Sequence, residues 1–253
     1  MTLNNEQLVL IEQIIKDNIL QKLKTYKLET NHMPFHYRLI GRDRMALYLF
    51  IQSLNTTFWV SIFEPVAELL AKFKYPFAQK QYPVGNTISQ GAQIEIQQIM
   101  NDLTTGKVKS SKNTEIERIR KVCITGGMNK LKSVRADLFI RNNEGIVFLI
   151  DLKTVKPNIS DFKDYKRTLL EWVAVYLAQN PTAETHSFIA IPYNPYERWT
   201  LYSMLDLEQE LKVAEEFWDF LGGDGAYEEI LACFERAGIA LSPEFDAFFS
   251  KFS

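Results

Sequence analysis

Two aspartates and a lysine interrupt a pair of apolar segments in the middle of the chain. Asp137 lies within the apolar run 134–140, Asp151 lies within the run 146–155, and Lys153 follows two residues after Asp151. Alternate residues of a β-strand point to the same face, so Asp151 and Lys153 are expected to share one face. Charged groups are costly to bury without partners, so these three residues are expected to interact with one another or with a shared partner.

A divalent cation supplies one explanation. Residues 142–145, with the sequence NNEG, favour a turn between the two runs, so the segment predicts a β-hairpin that carries both aspartates. Mg²⁺ commonly takes one or two protein carboxylates and keeps the rest of its shell for water and phosphate oxygens. Lys153 would then orient an attacking water, or help to deprotonate it, and offset the charge that builds on a phosphoryl group.

A simpler interpretation is a solvent-facing Asp-x-Lys ion pair on one strand and an edge-facing aspartate on the other. The apolar residues on both sides of Asp151, at 148–150 and 152, favour a buried strand instead.

Composition limits the other possibilities. The 253 residues are 46% hydrophobic, and no apolar run is long enough to cross a bilayer as a helix. The first 22 residues lack the features of a signal peptide, which predicts a cytoplasmic location and no membrane association. Two distant cysteines and three scattered histidines exclude a zinc finger.

The charge is unevenly distributed, although the net charge is only −2. Residues 104–136 contain nine lysines and arginines against two glutamates, and residues 206–229 contain nine acidic residues against one lysine. The basic segment, which includes Lys132 and Arg135, leads directly into the strand of Asp137. Phosphate attraction acts locally, so this distribution is compatible with nucleic acid near the proposed metal site.

Hydrophobic periodicity predicts the remaining elements. Helices are expected at residues 4–26, 44–53, 57–73, 90–103, 115–123, 160–179, 208–221, 227–237 and 243–252. Residues 31–38 are expected to form a loop, and residues 75–89 an irregular connection or a short edge strand. A strand at 186–191 completes the order strand, strand, helix, strand, with the helix crossing over between parallel strands. The fold class is therefore α/β, with a mixed central sheet flanked by helices and with helical N- and C-terminal regions.

One domain, residues 1–253, is the simplest organisation. It is expected to comprise a mainly helical part at 1–104, a catalytic core at 105–200 and a helical C-terminal part at 201–253.

The hairpin resembles the core of the PD-(D/E)XK nuclease superfamily, with Ala136 where the family name has proline and the shorter acid at Asp151. More widely, the chain resembles TdeIII-type type II restriction endonucleases. The segments that carry this resemblance are PFH at 34–36, the helix of Glu64, ADLFI at 136–140, IDLKTVKPN at 150–158, FKDYKRTLLEW at 162–172, YNPY at 193–196 and FWDFLGG at 217–223.

This resemblance implies a ββαβ restriction-endonuclease-like core and a homodimer that cuts double-stranded DNA with Mg²⁺. It further implies a short palindromic site related to GGNCC, ends with 5′-phosphate and 3′-hydroxyl groups, and a DNA methyltransferase as functional counterpart. A two-fold symmetric protein matches a two-fold symmetric site.

The resemblance also implies a role for each candidate residue. Asp137 and Asp151 bind the metal, Lys153 positions the water, and Glu64 supports the site, with Glu95 as the rival for that last role. DNA phosphates are expected to contact Lys156, Lys163, Lys166, Arg167, Lys132 and Arg135. Residues 33–44 and 193–199 are the candidate base-reading loops.

Two other functions remain open from the sequence. A repair or recombination nuclease would share the metal site and recognise DNA structure. A non-catalytic DNA-binding module could keep the fold and use the acids in ion pairs, although buried charges with no chemistry to perform are a cost that neutral residues avoid.

Overall fold

The computed structural model describes residues 3–27, 33–153, 161–193 and 204–251 of the chain. Their contacts form two compact units. The first comprises Met1–Leu69 together with Asp224–Ser253, and the second comprises Leu70–Gly223. The second unit contains the whole β-sheet and the hairpin of Asp137 and Asp151.

The described residues form eleven α-helices and five β-strands. The helices are α1 (Asn5–Thr25), α2 (Pro34–Ile40), α3 (Arg42–Thr57), α4 (Glu64–Lys74), α5 (Gln90–Thr104), α6 (Lys112–Arg120), α7 (Phe162–Gln179), α8 (Leu207–Glu210), α9 (Glu215–Gly222), α10 (Ala226–Ala240) and α11 (Ser242–Phe249). A π-helical turn, Phe58–Phe63, joins α3 to α4. The strands are β1 (Phe77–Ser89), β2 (Met128–Arg141), β3 (Val147–Leu152), β4 (Thr185–Ile191) and β5 (Leu211–Val213).

The five strands form one mixed sheet in the order β1-β2-β3-β4-β5. Strands β1, β2 and β3 are antiparallel neighbours, and β3, β4 and β5 run parallel. Helix α7 makes the crossover between β3 and β4 and buries a broad apolar face that includes Leu169, Val173 and Leu177. The predicted fold class and the ββαβ order are confirmed.

The first unit is helical. Its N-terminal helix α1 begins with a capping box, in which Asn4 and Gln7 satisfy each other's backbone amides. The buried face of α1, with Leu8, Ile11 and Ile15, packs beside α10. No single helix in the described ranges is long and apolar enough to cross a membrane, and only the bent pair Arg42–Thr57 with Ser61–Lys74 passes that test jointly.

Three local predictions were wrong. Residues 33–44 contain helix α2 and the start of α3, because Pro34 occupies the first helical position, where proline is tolerated. Residues 77–89 form the edge strand β1, which at thirteen residues is longer than the short edge strand or irregular connection expected at 75–89. The helix expected at 208–221 is interrupted by β5, which extends the sheet beside β4.

Candidate active site

The pairing of β2 with β3 brings Asp137 and Asp151 together. Leu138 pairs with Ile150 in the antiparallel ladder, so the two aspartates are the next residues of the two strands and stand opposite each other. Residues opposite each other in an antiparallel pair point to the same face of the sheet. The two carboxylates therefore lie side by side at one end of the hairpin.

The carboxylate of Asp137 is held by hydrogen bonds to both oxygens. Its Oδ2 accepts from the backbone amide of Leu152 at 2.9 Å, and its Oδ1 accepts from Nε2 of Gln81 at 3.2 Å. Gln81 lies on β1, where Lys80 pairs with Leu138 and Tyr82 pairs with Ala136. Three neighbouring strands thus fix the orientation of this side chain.

Asp151 is the most deeply buried acid of the hairpin, with 2% of its surface exposed. Its Oδ1 lies 2.6 Å from Nζ of Lys153, while its Oδ2 is buried with no hydrogen-bond partner. Burial raises the pKa of this carboxyl to about 7; Lys153 acts to lower the value, and the neighbouring Asp137 acts to raise it. A buried carboxylate oxygen without a partner is costly, and a bound cation would satisfy it.

Lys153 is held between Asp151 and an aromatic ring. Its Nζ lies 4.9 Å from the centroid of the Tyr165 ring, which is within the range of a cation–π contact. Burial raises the pKa of the Tyr165 phenol, and the nearby acids Asp161, Asp151 and Asp164 raise it further. The sequence analysis did not identify Tyr165. Its position in the first turn of the helix that follows β3 could have indicated that it lies near Lys153.

The donor set suits a hard divalent cation. Asp137 and Asp151 offer carboxylate oxygens, which hard cations prefer, and one oxygen of Asp151 has no other partner. The described part of the chain contains no cluster of three or more His, Cys, Asp or Glu side chains that could enclose a metal. With two protein carboxylates as ligands, a divalent cation held here would keep several positions for water and substrate oxygens.

The predicted phosphate contacts fall into distinct environments. Lys132, Arg135 and Lys163 are exposed, and Arg135 donates through Nη1 to the carbonyl oxygen of Gln81 at 3.1 Å. Arg167 is half-buried and donates through Nη2 to Oε1 of Gln97 at 2.9 Å. Lys156 lies outside the described residues.

Lys166 is fully buried and does not face solvent. Its ammonium group donates to Oε2 of Glu115 and to Oε2 of Glu210, each at 2.5 Å, and to Oγ of Ser110 at 2.9 Å. These bonds satisfy its three donors inside the protein. The prediction that Lys166 contacts a DNA phosphate therefore has no support in this arrangement.

A second buried lysine completes this cluster. Nζ of Lys112 donates to Oε1 of Glu210 at 2.8 Å and to Oγ of Ser187 at 2.7 Å. Burial lowers the pKa of Lys112; burial acts to raise the pKa of Glu210, but Lys112 and Lys166 hold it below its usual value. We refer to Lys112, Glu115, Lys166 and Glu210 as the buried ionic cluster. It ties α6, α7 and α8 to one another inside the second unit.

The two candidate supporting acids lie in different environments. Glu95, on α5, accepts from Nε of Arg118 at 2.5 Å and is therefore engaged in an ion pair. Glu64 is the first residue of α4, is buried, and belongs to the first compact unit. Of the candidate base-reading loops, residues 33–44 are mostly helical, and 194–199 lie outside the described residues.

Comparisons with known proteins give a consistent result. The family model described as "Type II restriction endonuclease, HinfI" matches residues 3–238. The type II restriction enzymes HgiCII and HgiEI of Herpetosiphon aurantiacus are each 27% identical over 220 residues, which is 83% of this chain and 79% of the relative. The type II restriction enzyme MjaII of Methanocaldococcus jannaschii is 25% identical over 228 residues, covering 78% of this chain and 60% of that protein.

Proposed function

Because this chain belongs to the HinfI family of type II restriction endonucleases, we propose that it hydrolyses double-stranded DNA at a short palindrome in a Mg²⁺-dependent reaction. Enzymes of this class are site-specific endonucleases that act on double-stranded DNA and generally use a divalent metal. The resemblance to a type II restriction endonuclease drawn from the sequence is confirmed, and the matching family is that of HinfI. The products proposed are 5′-phosphate and 3′-hydroxyl ends.

One observation supports this chemistry above the others: two aspartates and a lysine meet at the end of the β2–β3 hairpin, and Oδ2 of Asp151 has no partner. Asp137 and Asp151 would hold Mg²⁺ through their carboxylate oxygens. The bound ion would stabilise the charge that develops on the phosphoryl oxygens during in-line displacement.

Lys153 has two tasks in this proposal. Its ammonium group is fixed at Oδ1 of Asp151 and against the Tyr165 ring, so its free donor can orient a water molecule beside the metal site. The same positive charge offsets the negative charge that builds on the phosphoryl group.

Exposed cations near the hairpin supply the proposed DNA contacts. Lys132 and Arg135 precede Asp137 on β2, and Lys163 lies in the first turn of α7, so all three can reach a phosphate backbone that passes the hairpin. Lys156 and Arg167 are proposed as further contacts.

A palindromic substrate presents two equivalent strands. We propose a homodimer that places one catalytic centre at each strand, because two-fold symmetry of the protein matches that of the site. The enzyme would act in the cytoplasm beside a DNA methyltransferase that protects the same sequence, which the resemblance implies to be related to GGNCC.

The test is digestion of phage DNA of known sequence by the purified protein with Mg²⁺. Discrete fragments are expected, and sequencing of their ends would give the recognition site and the overhang. Asp151→Ala and Lys153→Ala proteins, each checked for folding by circular dichroism, should lose at least about a hundredfold in cleavage rate and still bind the site in Ca²⁺. Undigested DNA, a smear without defined ends, or full cleavage by Asp151→Ala would refute the proposal.

A further inference from the structure

Gln81 has a backbone conformation that is unusual for its residue type. Its φ of 51° lies in the left-handed region, which only Gln81 and Ala214 adopt among the described residues other than glycine. A side chain with a Cβ atom is strained there, so such a conformation persists only where the surroundings enforce it. Gln81 also lies inside β1, between Lys80 and Tyr82, whose partners Leu138 and Ala136 are the two neighbours of Asp137 on β2.

Two hydrogen bonds connect Gln81 to β2. The side-chain amide of Gln81 donates through Nε2 to Oδ1 of Asp137 at 3.2 Å. The carbonyl oxygen of Gln81 accepts from Nη1 of Arg135 at 3.1 Å. Arg135 and Asp137 are alternate residues of β2 and share one face, so the distorted point of β1 faces the candidate active site.

The geometry fixes the Asp137 carboxylate from two sides. Leu152 donates to Oδ2 at 2.9 Å and Gln81 donates to Oδ1, so the carboxylate plane cannot rotate freely. Each carboxylate oxygen accepts about two hydrogen bonds or metal contacts, which leaves one position on each for a cation. Outer hydrogen bonds of this kind orient metal ligands and tune metal affinity.

We propose that Gln81 is a positioning residue that orients Asp137 for metal binding, and that its strained backbone is retained for this purpose. The inference rests on the proposed metal-dependent cleavage. It adds a residue that the catalytic pattern of Asp137, Asp151 and Lys153 does not contain.

The substitution Gln81→Gly distinguishes a role of Gln81 in strand structure alone from a role in positioning Asp137. Glycine adopts positive φ without a Cβ penalty, so Gln81→Gly should raise the melting temperature of the metal-free protein. If Gln81 served only the strand, this more stable variant would be fully active. If Gln81 positions Asp137, the variant gains stability and loses metal affinity and cleavage.

A second variant separates the amide from the backbone strain. Gln81→Met keeps the length of the side chain and the Cβ atom but removes the hydrogen-bond donor. Gln79→Met, at an exposed position two residues earlier on β1, is the matched control. The three variants and the wild-type protein should be compared by melting temperature, by Mn²⁺ binding in electron paramagnetic resonance, and by single-turnover cleavage at saturating enzyme.

Gln81→Met is expected to weaken Mn²⁺ binding and slow cleavage by about tenfold to a hundredfold, with Gln79→Met unchanged. Excess Mn²⁺ should restore part of the cleavage by Gln81→Met. Wild-type Mn²⁺ binding and cleavage in Gln81→Met would overturn the positioning role, and a lowered melting temperature in Gln81→Gly would overturn the retained backbone strain. If the wild-type protein cuts no DNA, the proposed function fails, whereas the Mn²⁺ and melting comparisons still decide the role of Gln81.

Discussion

The carboxylate of Asp137 accepts a hydrogen bond from the backbone amide of Leu152 at 2.9 Å, just beyond the last paired residues of β2 and β3. A candidate metal ligand therefore also ties the two strands together. Asp151, its neighbour across the hairpin, is buried with one unpartnered oxygen. The two aspartates are thus expected to contribute to stability with opposite signs.

Replacement of Asp137 should destabilise the fold. Asp137→Ala would leave the buried amide of Leu152 without an acceptor, at a cost of about 1–3 kcal/mol in the free energy of unfolding. Asp137→Asn retains one acceptor oxygen and should lose less. Urea denaturation of the metal-free proteins measures both values, and equal stability of Asp137→Ala and the wild-type protein would contradict this assignment.

Replacement of Asp151 should stabilise the metal-free protein at alkaline pH. Burial raises the pKa of this carboxyl from 3.8 to about 7 on folding, so between these pH values the folded state binds one more proton than the unfolded chain. The contribution of this group to stability is full below about pH 4 and is lost as pH rises through about 7. Asp151→Asn should therefore raise the melting temperature more at pH 8 than at pH 5.

The same measurement in the presence of Mg²⁺ provides the control. Bound cation stabilises the ionised carboxylate of the wild-type protein and cannot do so for the amide. Added Mg²⁺ should reduce or reverse the advantage of Asp151→Asn at pH 8. An advantage that is identical at both pH values would exclude the raised pKa as its cause.

The Tyr165 ring should affect cleavage through Lys153. Tyr165→Leu removes the cation–π contact and is expected to lower the single-turnover rate by about fivefold, equivalent to about 1 kcal/mol. Tyr165→Phe keeps the ring and should retain the wild-type rate, and DNA binding in Ca²⁺ should be unchanged in both. Equal rates in Tyr165→Leu and Tyr165→Phe would show that the ring does not support Lys153.

Substitution of two lysines of helix α7 should affect different properties of the protein, stability in one case and DNA binding in the other. Lys166→Met removes one partner of the buried ionic cluster and should destabilise the protein by about 3–5 kcal/mol. Lys163→Met, three residues away and exposed, should leave stability unchanged and weaken DNA binding, with a shallower dependence on salt concentration. Denaturation and filter binding at several salt concentrations test both. If folded Lys166→Met protein showed a weaker salt dependence of DNA binding than the wild-type protein, Lys166 would have to contact DNA after all.

The sequence was informative where local patterns determine structure. The apolar runs around Asp137 and Asp151, and the amphipathic helix after them, were sufficient for the hairpin and the ββαβ order. Strand β1 was not recognised as a long strand, because Pro83, Gly85 and the irregularities around them resemble a loop. Gln81 was missed for a related reason: it lies opposite Asp137, 56 residues away in the chain, only through the register of β1.

Lys166 shows a different limit of prediction from the sequence. Helical spacing places Lys166 on the buried face of α7 with Phe162 and Leu169, but a lysine at such a position usually extends its charged group to solvent. Its partners Glu115 and Glu210 are 51 and 44 residues away. Burial of the ammonium group itself depends on these distant acids, which helical periodicity does not identify.

The edges of the sheet affect how copies of this chain can associate. At one edge, β1 contains Pro83 and two register shifts, and at the other edge β5 has only three residues. Neither described edge offers a long, regular row of free backbone amides and carbonyls to a strand from another molecule. This arrangement protects against open-ended aggregation by strand addition. For the homodimer proposed above, we therefore expect subunit contacts made by side chains of helices and loops and no sheet that continues from one subunit into the next.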